Sequence, residues 1–270
     1  MFRISCSIYE DFTLNAAAIE MDSSPAHMSI LIEYCIFHNM TTSASSHAGA
    51  IHLAHFQSEM RYINFIECVC ENSEENDAGN AIKVSGDSSN IAHCLIFRCP
   101  GDVARGESAI SSRDTTYVSI ANSNFTKNVA QNSEGHYGSP SVECTSSSAN
   151  NTMKYSHIED SKGSRAIYYS YGNVSNTNII GFSGLKLLGQ IDIVNNCCFF
   201  NNSVDINFSK VNIIKNCLTD DERFNESTTA FTLWVLSTNA LWSTGSRRLT
   251  CANQRKCRLC LASLLLIAAI

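Results

Sequence analysis

Met60-Arg61-Tyr62-Ile63-Asn64-Phe65 and Ile120-Ala121-Asn122-Ser123-Asn124-Phe125 are one phrase written twice, and the phrase recurs through the chain. Aligning Ile36, Phe65, Ile96, Phe125, Ile158, Ile179, Phe199 and Leu218 puts Cys or Asn immediately before six of the eight. Another apolar side chain stands five positions upstream of each: Leu31, Met60, Ile91, Ile120, Met153, Val174, Val194 and Ile213. A repeat of this length built from β-forming residues is the mark of a stacked solenoid.

An alternating pair completes each unit: Ile19/Met21, Ile51/Leu53, Ile82/Val84, Ile110/Ser112, Val142/Cys144, Ile167/Tyr169, Leu185/Leu187 and Ile206/Phe208. Period-two alternation places both members on one side of a strand. The odd offset of five between the other two anchors puts them on opposite faces of any single flat strand, so a corner must fall between them. Three inward points on three short strands per unit predict an all-β protein. Its fold is a single-stranded right-handed parallel β-helix of about eight coils, roughly 40 Å long at one strand spacing per coil. The division expected is 1–15 as an N-terminal edge, read as a truncated end or a misplaced start, 16–221 as the solenoid, and 222–270 as an irregular or partly helical tail.

Composition agrees. Charged residues make up 16 % of the 270-residue chain, and Ser, Thr and Asn fill the outward positions. Uncharged polar groups tolerate stacking at one strand spacing, whereas like charges repel. A net charge of −6, with no basic face in the repeats, argues against a nucleic-acid partner. Of the 13 cysteines, Cys35, Cys198 and Cys217 precede the third anchor and Cys94 lies one position earlier. That placement reads as small buried residues in an inward stack. In an exported chain, Cys68/Cys70 and Cys94/Cys99 are placed to pair across neighbouring coils.

Return connections are long in the first four units and short in the last three, so the variable loops leave one corner. They are Met40 to Ala48, Cys70 to Gly79, Cys99 to Glu107 and Asn128 to Ser139. Aligned insertions on a solenoid edge make an interaction face. The second loop carries Glu71, Glu74, Glu75 and Asp77, without the alternation and glycine of a calcium loop, and reads as a solvated acidic loop. Beyond Asp221 come Trp234 and Trp242, then the basic residues Arg247, Arg248, Arg255, Lys256 and Arg258, then an apolar run at 259–270. A membrane-spanning helix needs about 20 residues. The run fits the start of a span cut short, a GPI-type tail after Ser243 to Ser246, or out-of-frame sequence. No secretory h-region stands at Met1 to Tyr9.

Chemistry is sparse. Enzymes on this scaffold gather carboxylates on adjacent coils. Here the residues between the paired anchors are Glu20, His52, Lys83, Ser111, Glu143, Tyr168, Lys186 and Asn207, with no two carboxylates adjacent. Asp220-Asp221 reads as a turn, and Gly135-His136-Tyr137-Gly138 lies in a long loop without partner motifs. Cys251, Cys257 and Cys260 lack the fourth ligand of a zinc site. His52 and His55 read as surface residues. No catalytic, cofactor-binding or metal-binding residue is assigned. Sequons at Asn39, Asn124, Asn150, Asn173, Asn201, Asn207 and Asn225 permit export without requiring it. Asn39, Asn128 and Asn202 stand three residues after the third anchor, where an asparagine ladder forms at a turn.

The units resemble those of chlamydial polymorphic outer-membrane proteins and the similar surface proteins of trichomonads, which carry Gly-Gly-Ala-Ile and Phe-x-x-Asn once per coil. Gly49-Ala50-Ile51, Asn80-Ala81-Ile82, Ser108-Ala109-Ile110 and Arg165-Ala166-Ile167 match the first motif in degenerate form. Phe125 with Asn128 and Phe199 with Asn202 match the second, and Ile36 with Asn39 is a variant. The resemblance spans Ala16 to Asp221. It implies a cell-surface ectodomain that acts in adhesion. With the one-sided loops and the sparse chemistry, the expectation is a non-catalytic cell-surface or membrane-associated adhesion protein that binds a host or cell-surface protein or glycan through the aligned loops. A membrane link would run through the C-terminal segment. Two other readings stay open: a pectate-lyase-like carbohydrate-active enzyme, and a gene fragment without independent function.

Overall fold

The computed structural model describes residues 1–22, 28–42, 48–70, 79–99, 108–113, 115–130, 138–145, 151–204, 211, 213–219, 240–241 and 248–249. Those residues form strands and connections with no helix, and the chain is a parallel β-helix. Its first sheet has nine strands: Phe2–Ser5, Met28–Glu33, Phe56–Arg61, Ser88–Ala92, Tyr117–Ala121, Asn151–Lys154, Gly172–Ser175, Ile193–Asn195 and Ile213–Lys215. The second also has nine: Ile8–Glu10, Ile36–His38, Asn64–Ile66, Leu95–Phe97, Asn124–Thr126, His157–Glu159, Asn178–Ile180, Cys198–Phe200 and Leu218–Thr219. Seven strands make the third: Ile19–Asp22, Ile51–Ala54, Gly79–Ser85, Ser108–Arg113, Val142–Cys144, Lys162–Tyr169 and Ser183–Leu188. A short three-stranded sheet, Thr13–Leu14, Thr41–Thr42 and Val69–Cys70, lies between the second and third.

Two sheets of nine strands mean one more coil than the repeats suggested. Phe2–Ser5 and Ile8–Glu10 pair with the next coil, ahead of the expected boundary at 16. Within each sheet like stacks on like. In the first sheet the inward column runs Ile4, Ile32, Met60, Ile91, Ile120, Met153, Val174, Val194, Ile214. In the second it runs Tyr9, Phe37, Phe65, Ile96, Phe125, Ile158, Ile179, Phe199, Thr219. In the third it runs Ile19, Ile51, Ile82, Ile110, Val142, Ile167, Leu188. These side chains make one continuous core, with Phe37, Phe65, Phe125 and Phe199 fully buried. Burying each such side chain is worth about 1.5–3 kcal/mol.

The columns correct the alignment at both ends of the solenoid. Phe37 occupies the position expected for Ile36, and Ile32 that of Leu31. Thr219 pairs with Phe199 where Leu218 was expected, and Ile214 with Val194 in place of Ile213, which is exposed. In each case two neighbouring residues are both apolar or nearly so, and alternation has no contrast to read. Leu185 is also exposed, with Leu187 and Leu188 buried in its place. The run Leu185-Lys186-Leu187-Leu188 admits two registers, and the pairing of Gly163 with Gly184 selects the longer one. Ile206/Phe208 lies outside the described residues.

A left-handed residue makes each corner on either side of the second sheet. Between the first and second sheets these are Cys6, Tyr34, Tyr62, His93, Asn122, Tyr155, Asn176, Asn196 and Asn216, with φ from 50° to 57°. Between the second sheet and the return stand Asp11, Asn39, Glu67, Arg98, Lys127, Asp160, Gly181 and Asn201. A single left-handed residue flips the pleat, which is what the odd offset of five demanded. The conformation costs a non-glycine residue about 1 kcal/mol. Two features offset it. Corner N–H groups continue the ladder, as in Tyr34 to Arg61 O at 3.2 Å and His93 to Ala121 O at 3.0 Å. The residue after the first corner also donates back to the carbonyl before it. Ser7, Cys35, Cys94, Ser123, Ser156, Thr177, Cys197 and Cys217 all do so, at 2.9–3.4 Å. Ile63 is the exception in this column.

That bond accounts for Cys35, Cys94, Cys197 and Cys217, and Cys68 and Cys99 make it after the second corner. The lock requires a small inward side chain with a donor, and Cys is the most apolar that qualifies. Cys35, Cys68, Cys70, Cys94, Cys99, Cys144, Cys197 and Cys217 are buried thiols outside any disulfide, and Cys6 is an exposed one. Burial pushes the Cys94 thiol up to about 12. Cys198 instead faces outward and is disulfide-bonded, and none of the nine free cysteines is its partner. Of the cysteines placed to pair across neighbouring coils, Cys68 does lie against Cys99 of the next coil, and the two are not joined in a disulfide.

Asparagine side chains tie further coils together. Asn128 Oδ1 accepts from Cys99 N at 2.7 Å and its Nδ2 donates to Ile96 O at 3.2 Å. Asn202 repeats both bonds with Phe182 N and Ile179 O. Each therefore grips the backbone of the preceding coil and not a copy of itself. Asn39, by the register correction, is a corner residue whose Nδ2 donates to Asp11 Oδ1 at 2.8 Å. Amide-to-amide contact occurs at the other corner, from Asn196 Nδ2 to Asn176 Oδ1 at 3.4 Å.

Candidate functional site

The outward face of the third sheet carries the residues singled out for chemistry. Glu20, His52, Lys83, Ser111, Glu143 and Tyr168 stand in one column on consecutive coils. Lys186 does not join it, because it pairs with Arg165. Asn207 lies outside the described residues.

The column is graded in exposure. Glu20 is half in solvent, whereas Lys83 and Ser111 are buried although they point away from the core. At its open end Glu20 Oε1 lies 3.6 Å from His52 Nδ1, and Glu20 Oε2 accepts from Ala17 N at 3.2 Å. Toward the far end Ser108 Oγ donates to Glu143 Oε2 at 2.9 Å, and the Arg165 guanidinium lies 4.4 Å from the centre of the Tyr168 ring. Four strand spacings separate Glu20 from Glu143, about 19 Å. Paired-carboxylate hydrolysis of a glycosidic bond uses carboxyls about 5–9.5 Å apart. Among the described residues no group of three His, Cys, Asp or Glu is placed to hold a metal ion. His55 stands away from His52, at a corner with φ 63°. Gly86 (φ 94°) crosses so near it that a Cβ would fall 2.8 Å from the His55 Cα.

The loops meant as the binding edge are described at their bases. Thr13, Thr41 and Val69 stack in register, as do Leu14, Thr42 and Cys70. Thr42 Oγ1 donates to Ala48 O at 3.1 Å, closing the first loop. Cys70 N donates to Asn80 Oδ1 at 3.1 Å, closing the second, and Cys99 N to Asn128 Oδ1 anchors the third. The loop interiors lie outside the described residues, with Glu71, Glu74, Glu75, Asp77 and the Gly135-His136-Tyr137 stretch. So do Asp220-Asp221, both tryptophans, Cys251, Cys257, Cys260 and the apolar run 259–270. No helix among the described residues is long and apolar enough to cross a membrane. Of the sequons described, Asn39 and Asn201 are exposed at corners, whereas Asn124 is buried and closed to glycosylation in the folded chain.

Sequence reasoning missed three outward clusters. Glu33, buried on the first sheet, is held by Arg3 and by Arg61 Nε at 2.8 Å. Burial pushes the Glu33 carboxyl up, and the bonds to Arg61 and Arg3 outweigh it, leaving it below the usual glutamate range. Tyr34, Tyr62 and His93 stack ring on ring along the first corner, with centroids 5.0 and 4.8 Å apart. His157 Nε2 lies 3.5 Å from Glu159 Oε2 on the outer face of the second sheet, and both are buried. The signal for the stack was present: each ring stands two residues after the apolar anchor of its coil.

No protein-family model matches the chain, and no curated protein matches it.

Proposed function

We propose that this protein is a non-catalytic, adhesion-type module displayed at a cell surface, which binds a protein or glycan partner through the loops along one edge of the β-helix. The observation that carries this reading is the stacking of loop bases. Successive coils send their long connections out between the same two sheets, each base fixed by a side-chain-to-backbone bond. A rigid row of anchored loops is how a solenoid presents a binding surface. The wide separation of Glu20 and Glu143 favours binding over glycoside cleavage. The repeat motifs resembling those of polymorphic outer-membrane proteins support the same reading.

The test replaces 71–78 and 131–137 with short Gly-Ser linkers, leaving Cys70, Asn80 and Asn128 in place. Binding to host cells and to a glycan array should fall at least tenfold, with thermal stability retained. Undiminished binding by the folded variant would overturn the reading.

A further inference from the structure

Two pairs of free thiols lie side by side on adjacent coils. Cys68 N donates to Cys99 Sγ at 3.1 Å. Cys197 and Cys217 hold matching positions one coil apart in the column that follows the first corner, next to the paired Cys198 and Leu218. Adjacent strands hold such residues with Cα atoms about 4.8 Å apart, inside the roughly 4.4–6.8 Å of cystines. The two pairs differ in their surroundings. Cys68 and Cys99 lie mid-solenoid. Cys217 lies between Ile213–Lys215 and Leu218–Thr219, beside exposed Ile213 and half-buried Ile214. A coil that buries fewer apolar side chains opens at lower free energy than a fully packed one.

We propose that Cys197 and Cys217 are an oxidative modification site, at which a small peroxide closes a disulfide across the last two described coils while Cys68 and Cys99 stay reduced. The inference does not rest on the adhesion reading. Cys217 lies in the less packed of the two coils, so its sulfur is the one that meets the peroxide first, and its thiolate is the attacking form. Its sulfur attacks one peroxide oxygen. The O–O bond breaks, hydroxide leaves, and Cys217 becomes a sulfenic acid. Cys197, deprotonated, then attacks that sulfur, the S–O bond breaks, and a second hydroxide departs. Two thiols lose two electrons and two protons, and the peroxide becomes two waters.

The experiment treats the full reduced chain with hydrogen peroxide. The products are alkylated in denaturant and the tryptic peptides mapped by mass spectrometry, cleavage at Lys210 and Lys215 separating the two cysteines. The expected result is a Cys197–Cys217 crosslink two mass units below the dithiol sum, in the wild type and in Cys198→Ser alike, with Cys68 and Cys99 alkylated. The crosslinked form should melt roughly 5–10 °C higher than the reduced form. Cys217→Ser should show no such rise, and Cys197→Ser should leave a Cys217 sulfenic acid that dimedone traps. Recovery of both thiols alkylated from peroxide-treated folded protein would overturn the proposal. So would a bond from Cys217 to Cys198, or closure of Cys68–Cys99 first.

Discussion

Truncating Phe37 and truncating Ile36 should have very different consequences, although the two residues are adjacent and equally apolar. Phe37 is fully buried and stacks between Tyr9, at 4.8 Å and 0°, and Phe65, at 5.2 Å and 7°. Phe37→Ala removes a ring from between two others and leaves a cavity in the column. Large-to-small changes of this kind cost about 3–5 kcal/mol, and two ring contacts at roughly 0.5–1.5 kcal/mol each place this one toward the upper end. Ile36 is half-buried on the outer face, so Ile36→Ala forfeits about 1 kcal/mol. Urea unfolding at 25 °C, followed by circular dichroism with a shared m-value, resolves the gap as a shift in midpoint. Equal costs, or a larger cost at Ile36, would refute the register of the second sheet and with it the placement of the left-handed corner at Tyr34.

Asn128→Ala should destabilise by about 2–4 kcal/mol, because it orphans the buried Cys99 N–H and one acceptor bond at Ile96 O; chemical denaturation measures it, and a loss under 1 kcal/mol would mean that the coil relaxes around the site. Glu33→Gln should be destabilising at neutral pH. The difference from wild type should close as pH falls below 4.5, since a depressed carboxyl gives its stability above the ordinary value and loses it as acid reaches the folded one. Burial also lowers the His93 imidazole below its usual 6.5, so stability contributed there is complete above that pH and declines in more acid solution. His93→Asn, copying Asn122 in the same column, should flatten thermal stability between pH 5 and 6.5, and an unchanged slope would count against the stack as its source.

Fold class and most inward positions could be read from the residues because a solenoid repeats one environment. Met60, Ile91, Ile120 and Phe65, Ile96, Phe125 meet identical neighbours above and below, so identical residue types recur. Reading failed where contrast failed, at Leu31/Ile32, Ile36/Phe37 and Leu187/Leu188, where neighbouring apolar residues offer two faces equally. It failed too for the first coil, because Tyr9 in the Phe column and Ile4 in the Ile column lack a second neighbour that would have made the repeat visible. The outward column from Glu20 to Tyr168 was placed correctly coil by coil, because its flanking pairs fix it. Its burial at Lys83 and Ser111 was not foreseeable, since outward burial depends on what crosses the sheet and no periodicity records that. Glu33 with Arg3 and Arg61 escaped notice for a related reason: its partners come from the coils on either side, and only the register brings them within reach.

The bond from the residue after each first corner has an evolutionary corollary. Donor, acceptor and bend all lie within three consecutive residues, so a copy that carries Ser, Thr or Cys there arrives with its own fastening already made. A duplicated or deleted segment of one full turn would need no compensating change elsewhere in the chain. Growth and shrinkage by whole units, with Ser, Thr and Cys exchanging freely at the fastening, is therefore the route by which lineages of such proteins can drift in length without passing through unfoldable intermediates.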